Sequence, residues 1–210
     1  HKPVYDLLMR GDYAGLQALV LKRSPEVLAR CVHFLENHDE PRVASLLPWN
    51  RDKTAALLLL TLPGMPLLHE GQLEGRKAFA RIQMSKRLSE EPDSTVRAFY
   101  EELLRARKTS LLNDGDGRVM RPLPLGDNGG SQNLIVTRWQ GKGSEVDLAI
   151  VNPGGKLARC LLEIEMPAAS PRLLFATTEQ APSPVQVVDG KVVVEIEGES
   201  GQIVRLTPPG

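Results

Sequence analysis

Residues 37–42 read Asn-His-Asp-Glu-Pro-Arg and close an apolar run that contains Val32, Phe34 and Leu35. A carboxylate at a strand tip can favour positive charge as it develops, and an imidazole or amide beside it can hydrogen-bond a polar ligand. A second polar stretch, His69-Glu70-Gly71-Gln72-Leu73-Glu74-Gly75-Arg76-Lys77, follows a second short apolar run from Met65 to Leu68. Two polar strand ends of this kind, side by side on one face of a sheet, make half of a pocket.

The elements that must position these tips follow from periodicity. Tyr5, Leu7 and Leu8, and then Leu16, Leu19 and Val20, recur at helical spacing, while Ser24-Pro25-Glu26 has the form of a helix start. Residues 32–35 read as a strand. Asp52 to Leu62 is apolar almost all round and stops at Pro63-Gly64, which predicts a buried helix. Val96, Phe99, Tyr100, Leu103 and Leu104 then mark one face of an amphipathic helix, with Arg105, Arg107 and Lys108 near its C-terminal end. Strand, helix, strand, helix is the order of an α/β unit with right-handed crossovers.

The second half changes period. Arg118–Leu125, Asn133–Gln140, Glu145–Asn152, Leu157–Met166, Arg172–Thr177, Val185–Val188, Lys191–Glu197 and Gln202–Thr207 read as short strands. Asn152-Pro153-Gly154-Gly155 and Asp189-Gly190 between them carry hairpin chemistry. Seven or eight such strands predict an antiparallel β-sandwich, divided from the first half near residues 109–117. The expected organisation is residues 1–108 and 109–210.

Composition excludes several classes of function. Across 210 residues, 26 Lys and Arg balance 26 Asp and Glu, so no basic surface of the kind that holds nucleic acid is expected. The longest apolar run, Ala55–Leu60, is too short to span a membrane. Cys31 and Cys160 lie in different halves and read as buried small side chains, which fits a soluble, cytoplasmic setting. No ligand cluster for a metal and no cofactor motif is evident.

The stretch FLENHDEPR at 34–42, followed by LPGMPLLHEG at 62–71, resembles the last two barrel strands of the α-amylase superfamily of glycoside hydrolases and transglycosylases. The resemblance covers most of the chain. It implies the C-terminal portion of a (β/α)8 barrel over residues 1–108, followed by the family's C-terminal β-sandwich over 109–210. Carried over by position, Asp39 matches the carboxylate that stabilises the oxocarbenium-like transition state, and His38 matches a histidine that binds the same sugar. Asn37 reads as a local orienting residue. The loop after the second strand departs from the family, with His69 and Glu70 where aromatic residues are frequent and Leu73 at a usual acidic position. His69, Glu70 and Glu74 remain as pocket-wall residues toward an α-glucan or oligosaccharide.

A retaining mechanism needs two further carboxyl groups, a nucleophile and an acid/base, about 5–5.5 Å apart. The acids ahead of Asn37 are Asp6, Asp12, Glu26 and Glu36, and the first three lie in helical segments. The chain, which opens at His1 directly in patterned sequence, is therefore expected to be a C-terminal piece that needs the missing N-terminal barrel half and is inactive alone. Glu36, Glu40 and Arg42 read as solvated neighbours of little energetic weight, and His33 as a packed, hydrogen-bonded histidine. The alternative function is a non-catalytic carbohydrate- or protein-binding module; against it, the second half offers only Trp139 and Phe175 as large aromatics, and Trp139 reads as core.

Overall fold

Capping and apolar spacing build residues 2–29 as helices. α1 (Lys2–Arg10) buries Val4, Tyr5 and Leu8; Asp12 caps α2 (Tyr13–Lys22) by accepting the Gly15 N–H at 2.9 Å; α3 (Pro25–Ala29) opens on Ser24 with proline in its first turn. The computed structural model describes residues 1–79, 89–126, 130–164, 166, 168–178 and 185–209.

Two short strands carry the polar tips. β1 (Val32–His33) pairs in parallel with β2 (Met65–Pro66), with Val32 opposite Met65 and His33 opposite Pro66. Both are shorter than the apolar runs that contain them. Pro66 has no N–H to give to the ladder, and the last rung is the Leu67 N–H to the His33 carbonyl at 2.8 Å. Between the strands lie a single turn, α4 (Val43–Leu46), too short to announce itself by period, and α5 (Trp49–Thr61).

From Thr54 onward helix α5 is enclosed, as its nearly all-round apolar sequence requires: every residue from Thr54 to Leu62 is buried. Its last carbonyls lack helical partners and find others across the molecule. Leu60 accepts from Arg107 Nε at 3.0 Å, and Thr61 accepts from Thr137 Oγ1 at 3.0 Å and Trp139 Nε1 at 3.2 Å. Trp139 is thus a core residue, 6% exposed. The strand at Ser200–Thr207 closes on the same helix at Gly201, where a Cβ would stand 2.6 Å from Leu57 Cδ2. α6 (Ser94–Thr109), capped by Asp93, completes the helical half and buries Val96, Tyr100 and Leu103.

From residue 116 the described chain is strand and turn: β3 (Asp116–Met120), β4 (Leu123–Pro124), β5 (Ile135–Gln140), β6 (Val146–Asn152), β7 (Ala158–Leu162), β8 (Ser170–Ala176), β9 (Gln186–Val188), β10 (Lys191–Ile196) and β11 (Ser200–Thr207), with a 3-10 turn at Ser131–Asn133. They form two sheets of antiparallel pairs, ordered β3-β5-β6-β11-β8 and β4-β7-β10-β9. The single strand expected over 118–125 is broken by Arg121 and Pro122, and its two pieces join opposite sheets. Asp189 and Gly190, at φ 50° and 76°, make the tight β9–β10 turn that their types require.

Asn152-Pro153-Gly154-Gly155 is not a hairpin. The strands it joins, β6 and β7, belong to different sheets. Asn152 is buried, and its Nδ2 donates to the carbonyls of Lys156, Ile196 and Glu197 at 2.8–3.3 Å, so the amide pins a crossing between sheets.

Two cores result. One fills the space between the sheets with Leu134, Val136, Leu148, Cys160, Val194 and Leu206 among others. The other joins α1, α2, α5 and α6 to the outer face of the five-stranded sheet through Ile135, Ala149, Val151, Phe175 and Ile203. The expectation for the cysteines holds for Cys160, which is buried, whereas Cys31 is half-buried with Sγ on the Val27 carbonyl; both are free thiols.

Candidate active site

The chain leaves β1 through Phe34 and Leu35 into the polar tip. Asn37 Oδ1 accepts the N–H groups of Asp39 at 2.7 Å and Glu40 at 3.0 Å. This turn made by the side chain of Asn37 fixes the two residues that follow. His38 Nε2 lies 3.2 Å from Asp39 Oδ2, and their side chains are 57% and 76% exposed, so carboxylate and imidazole stand together and open to solvent. Glu40 turns away toward α1, where its carboxylate pairs with Lys2 Nζ at 2.6 Å.

Directly behind the tip the chemistry is buried. Glu36 is 0% exposed; its Oε1 accepts from Arg42 Nη1 at 2.7 Å and its Oε2 from the Val43 N–H at 2.8 Å. The solvated-neighbour reading of Glu36 and Arg42 is therefore overturned. The loop folds back over its own tip and shuts both groups off from water. Arg42 Nη1 also reaches the Glu70 carbonyl at 2.6 Å and His69 Nδ1 at 2.9 Å. Because a guanidinium only donates, Nδ1 of His69 accepts and the ring proton sits on Nε2. One cation thus ties the end of β1 to the end of β2.

The second loop places its three sequence-predicted residues differently. His69 is three residues past Pro66, as Glu36 is three past His33, so the two meet at one level beyond the paired strands. The Glu70 carboxylate lies 3.6 Å from Arg76, and that of Glu74 lies 3.6 Å from Arg97, at the start of α6. The structure thus groups Asn37, His38 and Asp39 at the tip, anchors His69 just behind it, and turns Glu74 toward α6. His33 is buried, with Nε2 2.9 Å from the Pro63 carbonyl. Burial holds its pKa below the ordinary histidine value, against the opposing pull of that carbonyl.

Three further polar residues sit in the same interior and escaped the sequence reading. Gln72 Nε2 donates to the Tyr100 hydroxyl at 2.9 Å, while its Oε1 accepts the His69 N–H at 3.2 Å. Burial, reinforced by the nearby Asp52 and Glu36 charges, pushes the Tyr100 hydroxyl well above the usual phenol range. Asp52 on α5 is 2% exposed. Its carboxyl is pushed up to about 7, first by burial and then by the charge of Glu36. A signal for Asp52 was present: it is a lone acid one turn before Ala55 and Ala56 on a helix that is apolar almost all round. Nothing in sequence spacing pairs Glu36 with Arg42 across a loop. Among the described residues no three His, Cys, Asp or Glu side chains converge as metal ligands, and no helix is long and apolar enough to cross a membrane.

No protein-family model and no curated protein sequence matches the chain. Solved structures do. Over 83% of its length it superposes on 40% of a maltogenic α-amylase from Thermotoga neapolitana, at TM-score 0.64 and 23% identity. Over 99% it superposes on 48% of an α-amylase from H. orenii, at TM-score 0.68 and 15% identity. The chain shares its fold with α-amylases. A Nostoc punctiforme debranching enzyme, matched over 90% of this chain and 36% of its own at TM-score 0.60 and 18% identity, extends the likeness. The chain spans less than half the length of each of these structures. The α-amylase fold thus accounts for two parallel strand ends carrying polar tips, closed by helices and followed by antiparallel sheets.

Proposed function

We propose that the chain is the C-terminal part of an α-amylase-family glycosidase or transglycosylase that acts on α-linked glucans or glucosides with retention. In this reading residues 1–108 complete a (β/α)8 barrel and residues 109–210 form its C-terminal β-sandwich. The observation that carries it is the pairing of an exposed Asp39 and His38 at the end of a parallel strand, in a chain with the α-amylase fold.

Glycosidic cleavage passes through an oxocarbenium-like centre. The Asp39 carboxylate, held by the turn at Asn37, accepts hydrogen bonds from the hydroxyls of the distorted sugar and favours the positive charge as it grows. His38 hydrogen-bonds the same sugar, and Asn37 orients both. His69, with its proton on Nε2, offers a donor from the pocket wall, beside the lesser wall residues Glu70 and Glu74. The nucleophile and the acid/base belong to the N-terminal barrel half, so the 210 residues alone do not hydrolyse substrate.

Asp39→Asn in the intact enzyme tests the assignment. The turnover number on an α-linked aryl maltoside is expected to fall about 10²–10³-fold, the loss typical of one preorganised group at the reacting centre. Turnover within a few-fold of wild type would overturn the role of Asp39, and hydrolysis by the isolated chain would overturn the division of labour.

A further inference from the structure

Arg107, in the last turn of α6, lines a cavity of about 350 Å³ at the entry to β2, the opposite end of the parallel pair from the polar tip. Its Nε is spent on the Leu60 carbonyl at 3.0 Å. The two Nη nitrogens make no hydrogen bond or ion pair among the described residues, yet both keep surface that water reaches. Burial draws the guanidinium below its ordinary pKa, with no neighbouring charge to oppose the shift. The other charges of the wall are engaged. Arg118 Nε lies on Asp116 Oδ2 at 3.1 Å, and Glu26 is exposed, its carboxyl held below the usual range first by a hydrogen bond from Ser24. The acids outside the described residues are Asp127, Glu165 and Glu179, and none of the residues flanking them borders the cavity. The first two follow β4 and β7 of the four-stranded sheet and the third follows β8, whereas the cavity is bordered by β3 and β5, at the other edge of the five-stranded sheet.

We propose that this cavity binds a small monocarboxylate on a flat apolar body, with the carboxylate seated across the two Nη groups of Arg107. A guanidinium carries donors only, in a planar fork that matches the two oxygens of a carboxylate. One unanswered cation suits one negative charge, and Glu26 and Asp116 at the rim disfavour a dianion. The apolar body lies among Pro25, Ala29, Pro63, Leu112 and the edge of Trp139. That edge stays clear because Gly117, opposite Trp139 on β3, brings no side chain over it: a Cβ there would stand 2.6 Å from Cη2. The volume is near the lower end of ligand pockets, in which a few polar groups orient a largely apolar ligand. The site goes beyond the glycosidase reading and needs no catalytic activity.

Calorimetric titration of the 210-residue chain near pH 7 with sodium benzoate tests it, with benzamide as the neutral counterpart and sodium sulfate as the dianion. Saturable benzoate binding is expected. Benzamide and sulfate should each bind about 10-fold or more weaker, and benzoate should weaken as much in Arg107→Gln. Absence of saturation by benzoate, equal binding of benzamide or sulfate, or unchanged binding by Arg107→Gln would overturn the site. Ala29→Trp, at an exposed position of the wall, fills the cavity and leaves Arg107 in place. It decides the matter should Arg107→Gln lose its far-ultraviolet circular dichroism: loss of benzoate binding in that variant supports the cavity, and retention overturns it.

Discussion

Glu36 and Asp39 are three residues apart and live in opposite surroundings. Glu36 has no exposed surface and accepts two hydrogen bonds, from Arg42 and Val43. The Asp39 side chain is 76% exposed, and among the described residues its carboxylate meets its neighbour His38. A carboxylate that is to meet a ligand must keep free acceptor positions. One that shapes the backbone around it must spend them. In the proposed reading the tip carries the chemistry and the interior behind it carries the geometry, and substitutions in the two places should register in different measurements.

The largest effect on stability is expected from Arg42→Ala. It leaves Glu36 buried with the Val43 N–H as its remaining partner and releases His69 and the Glu70 carbonyl together. Removing one member of a buried pair typically destabilises by about 3–5 kcal/mol. Urea unfolding of the chain measures it. Replacing both members, as Glu36→Leu with Arg42→Met, should recover much of the loss, since two apolar groups leave no stranded charge. A loss below about 1 kcal/mol in the single variant would mean that the pair does not lock the two loops.

Asp52 should behave with the opposite sign. Its folded carboxyl titrates near 7, above the ordinary value of 3.8. Between those values the folded state binds the proton more readily than the unfolded chain, so stability falls as pH rises through this window and the deficit is complete above it. Asn does not titrate. Asp52→Asn is therefore expected to be more stable than wild type by about 2–4 kcal/mol at pH 8, with the difference shrinking toward pH 4. A flat difference across that range, followed by unfolding midpoints, would remove Asp52 as a strained acid.

What was legible in the sequence follows the same division. The polar tip at the strand end was legible because its residues are contiguous: Asn37, His38 and Asp39 stand in a row after an apolar strand. The buried part of α5 was legible because the run from Ala55 to Leu60 leaves no polar face. The interior behind the tip was not, because Glu36, Arg42, His69, Gln72 and Tyr100 come together only when two loops and a helix close. Opposite charges near each other on a loop are mostly solvated, and the exception is created by tertiary burial. Turn chemistry likewise fixes a change of direction without fixing its destination. Asp189-Gly190 returns the chain to the same sheet, while Asn152-Pro153-Gly154-Gly155, built of equally good turn residues, delivers it to the other.

The smallest effects on stability belong to the tip itself. Asn37→Ala removes a side-chain acceptor for two N–H groups near the surface, where water replaces much of the interaction, so a loss of about 1 kcal/mol is expected. Asp39→Asn removes a charge from a side chain that is mostly in water and whose neighbour, His38, is also exposed. Its effect on the unfolding midpoint should stay within about 0.5 kcal/mol. Paired with the large fall in turnover proposed for the intact enzyme, this near-silence on stability is what separates a group kept for a ligand from one kept for the fold. A stability loss at Asp39 as large as that at Arg42 would erase the distinction, because the tip would then be structural support in its own right.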